Sequence, residues 1–138
     1  MRITRAILGG IVGTVFLTSM MYFVAPMMTG RAMDVAGMLG SKMGGSWALG
    51  MTVHIANGAV VFSLIYAFIV SPMLPGAPWL RGLLWGGTLW MLTQMVVMPM
   101  IGAGFFSAHA GGMISVMASL LGHLVYGVAL GAVAGAPE

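Results

Sequence analysis

Charge is what this sequence most conspicuously lacks: of 138 residues, 5 are Lys or Arg and 2 are Asp or Glu. A soluble domain carries about 25% charged residues to solvate its surface, so water is not the main solvent of this chain. Hydrophobic residues make up 60% and the mean hydropathy is +1.06, which excludes disorder as well, since disordered chains are polar and charged. Cysteine is absent, and with it disulfides, thiolate metal sites and thiol chemistry. Carboxylates are nearly absent too. Asp34 and Glu138 are the only two, so no acid is available within an apolar stretch as a general base, to orient a catalytic His, or to carry protons or ions. None of the glycine pairs is followed by the Lys and Ser/Thr of a phosphate-cradling loop. Independent catalytic activity is not expected. The net charge of +3 is too small for a nucleic-acid footprint.

What is present is long apolar sequence. A bilayer core of about 30 Å needs about 20 helical residues, and four stretches meet this: residues 6–28, 47–70, 80–101 and 113–134. The fold class expected is an all-α membrane protein, a single four-transmembrane-helix bundle. The first stretch is too long for the apolar region of a signal peptide and is expected to stay attached. Between the second and third stretches, Pro72, Pro75 and Pro78 are expected to end one helix and stiffen a tight turn. The first connection, residues 29–46, mixes Arg31, Asp34 and Lys42 with Val35, Met38, Leu39 and Met43, a pattern for a short interfacial helix. The third connection carries Phe105, Phe106 and His109. Arg2, Arg5 and Arg81 fall on one side, and Arg31 and Lys42 on the other. The bias places both termini and the proline turn in the cytoplasm.

Two weak internal matches suggest tandem helical hairpins. His54-Ile-Ala-Asn-Gly58 and His123-Leu-Val-Tyr-Gly127 each place a glycine four residues after a histidine, and Pro26 and Pro99 each follow a Gly-Thr pair by about a dozen residues. On the fourth stretch Ser115, Ser119, His123, Gly127, Gly131 and Gly135 recur every four residues. Such a stripe lets another backbone come close.

Ionisable groups inside a membrane usually serve a purpose, which makes His54 and His123 the first functional candidates. Two imidazoles from parallel helices can clamp a b-type haem, with Gly58 and Gly127 clearing space for the macrocycle and Asn57 and Tyr126 beside it. Thr18, Ser19, Gln94 and Ser119 are candidate partners for the rings. The layout resembles a minimal cytochrome b bundle, which takes its ligands from two parallel helices in this way. The alternative is a cofactor-free structural or assembly subunit in which both histidines only bridge helices. A third reading rests on the 16 methionines, ten of them toward the outer side. Thioether and imidazole suit Cu(I), and His109 with Met113 and Met117 is the set suggested by spacing.

The segment Gly122-His-Leu-Val-Tyr-Gly127 resembles the last helix of small bacterial four-helix integral-membrane proteins. The resemblance implies four-helix topology and a bacterial inner membrane, and no mechanism. Taken together, the expectation is a small subunit of, or partner to, a respiratory or electron-transfer assembly. Its contacts would be with the lipid bilayer and with other membrane subunits or copies of itself, and not with nucleic acid.

Overall fold

The computed structural model describes residues 3–136, and these are all helix, turn and connection. The terminal charges Arg2 and Glu138 lie outside the described residues. Four helices are long and apolar enough to cross a membrane: α1 (Ile3–Thr29), α3 (Trp47–Met73), α4 (Pro78–Met100) and α5 (Gly112–Ala134). A short helix, α2 (Val35–Lys42), occupies the first connection, where the mixed apolar and charged pattern had pointed. The spans succeed one another around the bundle as α3, α1, α5, α4, with α3 and α4 touching mainly near their shared proline turn. Parallel helices α3 and α5 therefore face each other across the centre.

The prolines behave differently from expectation. Pro72 does not end its helix, which runs on to Met73, and Pro78 opens α4 at its first position, where a missing N–H costs nothing. Pro26, Pro72 and Pro99 all sit inside helices because a wide π-turn comes immediately before each one. The residue ahead of each proline reaches back five residues for its acceptor: Ala25 to Met20, Ser71 to Tyr66, and Met98 to Thr93. The widened turn makes room for the pyrrolidine ring, which would otherwise strike the carbonyl four residues back.

Packing runs through glycine. A Cβ on Gly82 would strike the Gly127 carbonyl, and one on Gly127 would strike the Gly82 carbonyl; Gly86 likewise abuts the His123 carbonyl. Helices α4 and α5 thus cross backbone to backbone. On α1, Gly9 and Gly13 meet α5 at the Leu130 and Tyr126 carbonyls, while Gly10 meets the Ala59 carbonyl of α3. Without a hydrophobic drive between spans, this close van der Waals contact is what holds them. Large side chains such as Phe16, Phe23, Phe68 and Leu84 are left exposed on the outside, as lipid contact requires.

Asp34 ties three elements together at the end opposite the proline turn. Its Oδ1 accepts from the Gly37 N–H at 3.0 Å, capping α2, from the Trp47 indole at 3.0 Å, and from the Tyr22 hydroxyl at 2.5 Å. The Tyr22 hydroxyl, more than the Gly37 N–H and the indole, holds this carboxyl below the ordinary carboxylate range.

Two outcomes follow. Gly82→Val should cost ~1–3 kcal/mol by overpacking the crossing, read as a lower unfolding temperature in detergent, whereas Gly87→Ala should be silent, its Cβ meeting only the Leu124 side chain at 3.9 Å. Because the Asp34 carboxyl has a depressed folded value, its stabilisation is present above about pH 4, the ordinary aspartate range, and is lost as pH falls through the lower folded value. Unfolding temperatures of wild type and Asp34→Asn should differ by a constant amount at neutral pH and converge below pH 4.

Candidate ligand site at the centre of the bundle

The site begins with an irregularity in α3. A fourth π-turn, Asn57–Val61, has no proline after it. Here the N–H of Phe62 is diverted to the Asn57 carbonyl, away from its α-helical acceptor, the carbonyl of Gly58. That carbonyl instead accepts the Tyr126 hydroxyl from α5 at 2.7 Å. The bond crosses the bundle and forms the floor of a cavity of about 180 Å³. Tyr126 is 1% exposed, so in these surroundings the hydroxyl must find a partner within the protein.

His54 and His123 both line this cavity, as do Asn57, Gly58 and Tyr126. The structure does not bring Gly127 to it. Gly127 is taken up by the Gly82 crossing, and the Cβ direction of Gly58 is filled by the Thr14 hydroxyl, so both glycines serve helix approach. Each histidine bonds a threonine from the span before it. Thr18 Oγ1 lies 2.9 Å from His54 Nε2, and Thr93 Oγ1 lies 3.3 Å from His123 Nε2. His123 Nδ1 lies 2.8 Å from the Ser119 carbonyl. A carbonyl can only accept, so Nδ1 carries the hydrogen and Nε2 keeps its lone pair, to which Thr93 donates. The rest of the wall is apolar, including Leu17, Phe62, Leu89 and Val97.

Of the other partners suggested by the sequence, Thr18 and Ser119 engage the rings, while Gln94 does not. Its Oε1 accepts from Ser107 Oγ at 2.9 Å, with both residues buried. Ser107 and Phe106 have φ values of 52° and 49°, a left-handed backbone that costs about 1–3 kcal/mol per non-glycine residue and is kept where surrounding contacts impose it. The Gln94 bond and the edge-on packing of Phe106 on Trp90, with centroids 6.1 Å apart, impose it here. This loop positions His109. Thr93 was missed by sequence reasoning; its only sequence signal was a threonine near the depth of the histidine on the adjacent span.

A second cavity, of about 350 Å³, opens toward the first and third connections and is lined by His109. Met113 and Met117 line neither cavity; they are 68% and 47% exposed on the outward face of α5, because four-residue spacing points both the same way. Among the described residues no three His, Asp or Glu side chains converge.

A model of the family of unknown function DUF6789 matches residues 1–137. The chain belongs to that family. No curated protein and no solved structure matches it. For this DUF6789 member the geometry of the central cavity is therefore the main guide to function.

Tyr126→Phe should leave the Gly58 carbonyl bare in an apolar wall and cost about 1–3 kcal/mol. A fall in the unfolding temperature in detergent, larger than that of the exposed control Thr52→Val, checks it.

Proposed function

We propose that the protein is a small electron-transfer component of a bacterial inner membrane, with its termini and proline turn on the cytoplasmic side, that binds one b-type haem between His54 and His123. The observation that carries this reading is that two imidazoles reach one apolar cavity from parallel, diagonally opposed spans. The donor set fits: imidazole is a good axial ligand for haem iron, and tying Nδ1 of His123 to a backbone carbonyl is how proteins orient a ligating histidine and free its Nε2. His54 and His123 would hold the group, with the Thr18 and Thr93 hydroxyls yielding the Nε2 positions. The cavity of about 180 Å³ is smaller than the roughly 300–1,000 Å³ of ordinary ligand sites, so admitting a macrocycle would require the bundle to open, and the seam between α3 and α4 is its least-packed. When bound, the group supplies one-electron transfer. Leu17, Phe62 and Leu89 exclude water around it, and Tyr126 closes the floor. With so few charged residues to form a soluble docking face, electrons would pass to and from other membrane subunits or a second copy.

A specific observation favours a second reading. The Thr18–His54 and Thr93–His123 bonds satisfy ring nitrogens inside the bundle without any ligand, as a cofactor-free assembly subunit would require.

The absorption spectrum of protein purified from its native host separates the two. Haem gives a Soret band that shifts and sharpens on reduction, and His54→Ala or His123→Ala should each abolish the bis-imidazole form. A colourless, iron-free preparation overturns the haem reading.

A further inference from the structure

The second cavity has a lining of unusual chemistry. Met21, Met33, Met38 and Met98 share it with His109, four thioethers and one imidazole drawn from α1, the first connection with α2, α4 and the third connection. Methionine is ordinarily a flexible filler that adapts to gaps. Here Met21 and Met98 are 7% and 5% exposed, yet the four side chains surround about 350 Å³ of open space that fillers would be expected to close. His109 arrives on a loop held in left-handed backbone by the Ser107–Gln94 bond, and its ring rests against Gly104, where a Cβ would lie 3.1 Å from Nδ1. With a φ of 77° as well, a larger residue there would be strained and would press on the ring. While His54 and His123 are engaged by threonines, His109 is exposed at the cavity mouth.

We propose that this cavity is a receiving site for a soft monovalent metal ion, Cu(I), coordinated by His109 and by thioether sulfurs of the surrounding methionines. Thioether and imidazole donors select Cu(I) over the harder divalent ions that prefer carboxylate and water. Binding is ligand exchange without change of oxidation state. Two charged groups line the cavity, Asp34 and Arg31, both exposed and of opposite sign. Met21, Met33 and Met98 also line the histidine cavity, so they form the partition between the two chambers. The site is independent of the haem reading and stands or falls separately from it.

The test is anaerobic competition for Cu(I) between the detergent-purified full chain and a colorimetric chelator such as bicinchoninate. The wild type should withdraw one equivalent, and Ag(I) should displace it. Met98→Leu and Met33→Leu, which conserve volume, and His109→Ala should each weaken binding at least tenfold, while Met113→Leu and Met117→Leu should bind as wild type. X-ray absorption of the Cu(I) form should show sulfur together with nitrogen scatterers. Uptake should survive the double variant His54→Ala/His123→Ala, which removes any haem. No withdrawal by the wild type, wild-type binding by Met98→Leu and His109→Ala, or loss of uptake in the double histidine variant overturns the proposal.

Discussion

In an apolar medium a bare backbone carbonyl has no water to turn to, and each one must be satisfied by the protein itself. The carbonyl of Gly58 shows how much follows from that requirement. The π-turn at Asn57–Val61 takes away its helical donor, and the Tyr126 hydroxyl replaces it from the opposite span. One bond thereby fixes the separation of α3 and α5 and closes the floor beneath the histidines. The same requirement governs the proline-bearing spans, where widened turns redirect the N–H before each proline and let the helix continue.

Glycine crossings complement this bond. Where Gly82 and Gly86 press on the backbone of α5, α4 and α5 are nearly in contact, and α1 is drawn against both α3 and α5 in the same way. No such crossing joins α3 to α4 above the proline turn. The bundle is therefore tight on three sides and slack on the fourth, and the central cavity lies against the slack side. At His123 the helices meet through backbone and not through the ring: Gly86 packs on its carbonyl, leaving the ring to be oriented by Ser119 and Thr93.

The tandem-hairpin pattern gains a chemical counterpart in the structure. In each consecutive pair of spans the first supplies a threonine hydroxyl to Nε2 of the second's histidine. The pairing was only half legible, because Thr18 stands out as a polar residue in an apolar run whereas Thr93 sits in a second polar pair with Gln94, which turns away to Ser107. The methionines were legible by number and by side, but not by grouping. Met113 and Met117 share a helix face and point outward, while the methionines that line a cavity with His109 come from segments far apart in sequence.

Composition and hydropathy by themselves determined the four spans, a short helix within the connection 29–46 and the two histidines worth examining, because the cost of placing charge in hydrocarbon acts on each residue locally. Whether a proline breaks a helix, whether a glycine faces a ligand or another backbone, and which methionines share a cavity were decided only in three dimensions. Those outcomes depend on side-chain direction and on the partners available across the bundle, and a one-residue change of register would alter them all while leaving the apolar pattern intact.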